Sequence, residues 1–232
     1  MEIIREEFEE RANEVKEYLN AIYKMENEDY SFYRTGSRNS VKIKMGNDLP
    51  KVMKATFFLL LYNLIESTIR SSFKELYDCI QNENKVISEF KDEYKLIWIM
   101  QSFKGKDPVS SNQSTYRNLI SDMVSDILNS QPLSLSIDSL PISGNLDARK
   151  TRELLKKHGI SEKVHYKANG GSQLLTIKEK RNALAHGHIS FAECGREYTH
   201  EDLASLRKET VVFLRSVIRN IDKYIKNSGY VA

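Results

Sequence analysis

The run ATFFLLLYNLI, residues 55–65, decides how this chain folds. From Phe57 to Leu64 it is apolar nearly all round, so as a helix it has no face to give to water and belongs at the centre of a core. A bilayer needs about 20 apolar residues, more than this run supplies, and Asn63 interrupts it. The helix it belongs to is expected to extend over residues 51–80, with Glu66 the one carboxylate in the continuation NLIEST.

Outward from that helix the helical period repeats. On the N-terminal side Ile4, Phe8, Ala12, Val15, Tyr18, Leu19, Ile22 and Tyr23 recur at helical spacing in a glutamate-rich stretch, which predicts a long acidic surface helix near residues 3–25. Such an acidic, amphipathic start is wrong for a secretory signal. Between the two helices, residues 27–50 break the pattern. They carry turn residues, basic side chains and a short alternating VKIKM, the marks of a polar insertion with a small β-hairpin. On the C-terminal side one or two helices are expected over 85–103, another over 115–129, and a non-helical serine-rich connector over 130–145. A short basic helix over 147–158 and a loop at HYKANGGS follow. A helix starting at Ser172 or Thr176 comes next, and a last long helix over 199–226 has Thr199 as its N-cap, with Glu201 and Asp202 in the first turn.

The expectation is an all-α, antiparallel bundle of about six helices with a polar insertion after the first. It forms a single domain over 1–232: an acidic N-terminal helix (1–26), the insertion (27–50) and a helical core (51–232). Four prolines and ten glycines in 232 residues argue against a turn-rich β fold. Cys79 and Cys194 offer no disulfide framework. The chain reads as cytoplasmic, with no membrane partner.

The net charge of +3 hides an asymmetry. The first helix is acidic, whereas residues 149–181 hold Arg149, Lys150, Arg152, Lys156, Lys157, Lys163, Lys167, Lys178, Lys180 and Arg181. Arg34, Arg38, Lys42 and Lys44 in the insertion add to this. One reading is an ordinary solvated surface. The other is an electropositive strip that attracts phosphates. Few aromatics interleave with it, Tyr30, Phe32, Tyr33 and Tyr166 being the exceptions.

Three groupings of residues could carry chemistry. His186, His188, Cys194 and His200 lie close together, but their spacing matches no paired-ligand zinc pattern, so no metal is expected. Arg152 and His158 flank ELLKK, where His158 before Gly159 reads as a helix-terminal residue with a structural role. The third grouping is RNALAHG, residues 181–187. Asn182 and His186, four apart, share one helix face, and Ala183 and Ala185 would let another backbone come close.

RNALAH resembles the hallmark of the HEPN superfamily, an Arg followed by a polar residue and, a few residues on, a His. Three blocks taken in order, LYNLIEST (61–68), SGNLDARKTRELLKKHGI (143–160) and RNALAHGHISFAECGREYTHEDL (181–203), resemble the MAE-type HEPN-like nucleases of prokaryotic toxin and defence loci. The resemblance implies a helical homodimer and a metal-independent endoribonuclease without a cofactor, its catalytic residues Arg181, Asn182 and His186. It also makes a neutralising antitoxin or neighbouring-gene partner protein an expectation. Glu66 is either a supporting carboxylate that holds Arg181 or an interfacial residue paired with some other cation. Lys178, Lys180, Arg149 and Arg152 are the expected RNA contacts. The alternative is a catalytically silent HEPN module that binds nucleotide, RNA or a partner protein. A third possibility is a helical dimerisation protein with no ligand.

Overall fold

The computed structural model describes residues 1–27, 32–34, 41–43, 48–104, 113–142 and 144–232. Tyr30, Arg38 and Lys44 of the insertion lie outside the described residues. Eight α-helices occur among the described residues: α1 (Glu2–Asn27), α2 (Leu49–Asn82), α3 (Asp92–Ser102), α4 (Gln113–Leu128), α5 (Ala148–Lys157), α6 (Gln173–Ala185), α7 (Phe191–Arg196) and α8 (His200–Lys226). Two three-residue strands, β1 (Phe32–Arg34) and β2 (Val41–Ile43), pair antiparallel with Tyr33 opposite Lys42, the small hairpin expected in the insertion.

The chain is all-α, and α2 is its axis. Phe57, Phe58, Leu61, Leu64, Ile65, Ile69 and Phe73 are buried, and α1, α6, α7 and α8 all pack on the helix. By length and composition α2 could cross a membrane, but more than half of its apolar window is inside the fold, as a core helix requires. A leucine lost from such a site costs about 2–5 kcal/mol.

The first helix buries Phe8, Ala12, Val15, Leu19 and Ile22 against α2 and α8, one stripe at helical spacing. Its glutamates turn outward or find cations: both Glu9 carboxylate oxygens accept from Arg215, and Glu26 pairs with Lys54 at 2.8 Å. Those partners lie on α8 and α2. The basic 149–181 segment is therefore not where these α1 carboxylates find their charge.

Several local expectations are sharpened. Thr199 caps α8 in a reciprocal capping box with Asp202. Asp147 caps α5 by accepting from Lys150 N–H at 2.8 Å. HYKANGGS, expected as a loop, contains a 3-10 turn (Tyr166–Gly171) in which Asn169, Gly170 and Gly171 take positive φ. A Cβ on Gly171 would lie 2.7 Å from the Phe213 ring, so only glycine lets this turn sit on α8. The short helix α7 was not expected. Its Gly195 meets the backbone of Lys51 so closely that a Cβ there would overlap the carbonyl oxygen. That contact locks α7 onto the start of α2.

His158 is structural, as expected, but in a different way. It is fully buried, with Nε2 2.9 Å from the Tyr77 hydroxyl and Nδ1 2.7 Å from Leu154 O. A carbonyl can only accept, so Nδ1 carries the proton and Tyr77 donates to Nε2. Burial pushes the His158 pKa down to about 4, so it is a neutral core group and does not act as a charge on the helix dipole.

Candidate functional site

Helix α6 presents the RNALAHG segment. Leu174, Ile177 and Leu184 are buried and fix the rotation of the helix on α2 and α8. Ala185 is exposed and Ala183 half-buried, so the outer side of the last turn is open within one chain. The helix ends in a Schellman motif: Gly187 N–H donates to Leu184 O and His188 N–H to Ala183 O, with Gly187 at φ 69°. His186 is the C-cap and is exposed. The turn brings the ring of His188 to 5.8 Å from that of His186.

Five residues earlier, Arg181 is half-buried and held on two sides. Its guanidinium carbon lies 4.7 Å from the centroid of the Tyr62 ring, a cation–π contact, and its Nη1 donates to Asn182 Oδ1 at 2.9 Å. Tyr62 is itself anchored, its hydroxyl accepting from Leu146 N–H at 3.1 Å. Burial raises its pKa, and the nearby Glu66 carboxylate adds to the shift, so the phenol stays protonated.

Glu66 makes no ion pair with Arg181 among the described residues. Its Oε2 accepts from Gly144 N–H at 3.2 Å. Gly144, at φ 71°, places the backbone next to the Arg181 guanidinium: a Cβ there would sit 3.9 Å from Nη1. Tyr62 and Glu66, one turn apart on α2, thus pin the 144–146 turn, and ring and turn together seat the arginine. Glu66 and Arg181 line one groove of about 370 Å³ with Arg11, Tyr62, Asn63 and Arg70.

The four expected RNA contacts divide. Lys178 pairs with Asp147 at 2.6 Å and is mostly covered, its side chain 15% exposed. Burial alone would raise the Asp147 pKa, but the Lys178 ammonium and the Lys150 N–H outweigh it and hold the carboxylate below its usual range. Lys180 pairs with Glu197 and lies over the Tyr198 ring. The charge of Lys178 is therefore met inside the fold, and that of Lys180 is met at the surface by a half-exposed carboxylate. Arg152 donates to Gly170 O at 2.6 Å and packs over Phe213, contacts that leave its charge uncompensated. Arg149 has an 80% exposed side chain, and its bond to Glu153 is a surface pair of small weight.

The His and Cys cluster separates in space. Cys194 is buried, His200 is against the ring of Tyr23, and no group of three or more metal-ligating side chains converges among the described residues. Tyr62, Gly144, Arg11 and Arg70 are the residues that the sequence reading did not single out. The signal for Tyr62 was present: a tyrosine in an aliphatic run needs a partner for its hydroxyl.

The family model described as HEPN_MAE_28990-like HEPN matches residues 2–230. No curated protein and no solved structure matches the chain.

Proposed function

The chain belongs to the MAE-type HEPN family, and from that premise we propose that it is a metal-independent endoribonuclease acting as a toxin or defence effector in the cytoplasm. The observation that carries the reading is the state of Arg181. It is seated by Tyr62 and Asn182, has no carboxylate ion-pair partner among the described residues, and opens onto a groove five residues before an exposed histidine.

RNA supplies its own nucleophile in the 2′-hydroxyl beside each phosphate. A base removes that proton, the 2′-oxygen bonds to phosphorus, and the 5′-oxygen leaves with a proton from an acid. The products are a 2′,3′-cyclic phosphate and a free 5′-hydroxyl. A histidine suits either proton transfer. The guanidinium fork suits the charge that builds on the phosphoryl oxygens. One chain offers one motif histidine, so a second is supplied when two copies meet across the alanine side of α6. His186 and the partner's His186 then serve as base and acid. Asn182 holds Arg181 in this arrangement, and Arg149 and Arg152 are the cations left to contact the RNA backbone. A neutralising antitoxin is part of the same proposal.

The test is cleavage of total RNA by purified protein. His186→Ala should abolish it with helicity and dimerisation unchanged, because an exposed cap residue contributes little packing. Full activity in that variant would remove His186 from the site. A second reading, a silent module that grips phosphate or a partner, draws on one observation: Arg181 is held in place, whereas among the described residues no hydrogen bond to the His186 ring orients it. Under that reading overexpression toxicity, if any, is indifferent to His186→Ala.

A further inference from the structure

The groove beside Arg181 is lined by arginines from three separate elements. Arg11 comes from α1, Arg70 from α2 and Arg181 from α6, and the floor between them is the solvent side of α2 at Asn63 and Glu66. Of the residues that line the groove, one is a carboxylate, Glu66, and that carboxylate already accepts from Gly144 N–H. The arginines are also available. Arg181 uses one N–H on Asn182 and keeps the rest of its fork. Arg70 pairs at 2.5 Å with Asp138, whose side chain is 79% exposed, a solvent-screened bond that an arriving anion can replace. Arg11 is exposed, and no ion pair or hydrogen bond of its side chain is found among the described residues. It stands on a helix rich in glutamate. On its other side Glu10 and Glu14 line the next stretch of the α1–α2 groove. The positive zone therefore ends sharply at Arg11.

We propose that Arg11 and Arg70 extend the Arg181 site into a phosphate subsite on the α2 face. It takes the backbone phosphate next to the scissile linkage of a single-stranded RNA, and Arg11 marks where the strand must leave the groove. The volume of about 370 Å³ falls in the range of roughly 300–1,000 Å³ usual for small-ligand sites, enough for a local contact and too little for a duplex. The carboxylates of Glu10 and Glu14 repel a continuing phosphate chain, so the site selects a strand that bends away from α1. This rests on the ribonuclease reading for the identity of the ligand.

The experiment separates binding from cleavage. A short single-stranded RNA that is 2′-O-methylated throughout has no nucleophile and cannot be cut, so its anisotropy titration reports binding alone. Arg11→Gln should weaken binding about ten-fold at low salt, the range expected for one charge-assisted contact. It should also lower the salt slope by about 0.7, the value for one phosphate contact on a single strand. Arg11→Glu should weaken it further. Glu66→Gln keeps an acceptor for Gly144 and should tighten binding. Lys16→Gln, on α1 but outside the groove, should change little. Equal effects of Lys16→Gln and Arg11→Gln would mean a general charge effect and would overturn the subsite. So would unchanged affinity and slope in Arg11→Gln while unmodified RNA is still cut in a His186-dependent way. If Arg11 governs binding but unmodified RNA is never cut, the subsite stands and the ribonuclease reading falls.

Discussion

The guanidinium of Arg181 lies over the ring of Tyr62, 4.7 Å from its centroid, and the hydroxyl of that same ring accepts from Leu146 N–H. One side chain therefore does two jobs, a flat seat for the cation and a clamp on the neighbouring turn. The two can be separated by substitution. Tyr62→Phe keeps the ring and strands the Leu146 N–H, so it should cost about 1–3 kcal/mol of stability and leave the KM of RNA cleavage near wild type. Tyr62→Leu removes the seat as well, and cleavage should fall at least ten-fold through kcat. Equal activity of the Phe and Leu variants would show that the ring does not position Arg181.

Asp147 is a second double-duty residue. Its Oδ1 caps α5 through Lys150 N–H, and its Oδ2 meets Lys178 at 2.6 Å. Asp147→Ala removes a cap, worth about 0.5–2 kcal/mol, and leaves a mostly covered ammonium without its carboxylate. A total loss of about 2–4 kcal/mol is expected by urea unfolding. Adding Lys178→Met should restore part of it, since the pair acts as a unit. Strict additivity of the two substitutions would argue that the pair is not coupled.

Stability should depend on pH through His158. Its folded pKa is held down to about 4 by burial, against an ordinary value of 6.5. The folded state therefore favours the neutral ring. That contribution is complete above about pH 6.5, shrinks as the unfolded chain takes up a proton below it, and is gone once the pH passes through the folded pKa near 4. A shift of this size corresponds to about 3 kcal/mol. Urea midpoints should hold steady from pH 8 to 7 and drop between pH 6.5 and 4. His158→Gln should be less stable at pH 7.5 but should lose most of that drop. An unchanged acid drop in the variant would place the sensitive group elsewhere.

What the sequence allowed to be read, and what it did not, follows from the range of the forces involved. Helix α2 was legible because Phe57–Leu64 has no polar side, and only a core position satisfies that. The cap at Thr199 was legible because capping is a local bond within four residues. The seat of Arg181 was not. It joins Tyr62, Gly144 and Arg181, more than 30 residues apart at every step, and nothing in RNALAH specifies that ring. The same distance hid the fate of Lys178 and Lys180: a run of lysines looks like a free cationic face until the fold brings Asp147 and Glu197 to it. Helix α7 escaped because six residues are too few to show a period, and what fixes it is the tight contact of Gly195 with Lys51.

Cleavage should not need a divalent ion. The proposed nucleophile is the 2′-hydroxyl and the proposed charge sink is Arg181, so activity should survive EDTA and leave 2′,3′-cyclic phosphate ends. Substrates made of DNA should resist. A requirement for Zn²⁺ or Mg²⁺, or equal cutting of DNA, would contradict the 2′-hydroxyl route.

The last expectation concerns two chains. Acid and base must stand on opposite sides of the phosphorus, and a single chain brings one motif histidine to the end of α6, exposed, beside the small residues Ala183 and Ala185. A two-fold axis on that side supplies the second histidine without any further sequence feature, and closed pairing is the commonest assembly of soluble chains. The measurement is the rate of a covalently linked dimer in which one chain is wild type and the other carries both Arg181→Ala and His186→Ala. If each chain cut alone, half of the wild-type rate would remain. If the two chains build one composite site, removing one Arg and one His from it should reduce the rate far below half, because groups that act together lose their effect together. A rate near half would end the shared-site model and leave His186 to act with a base or acid from its own chain.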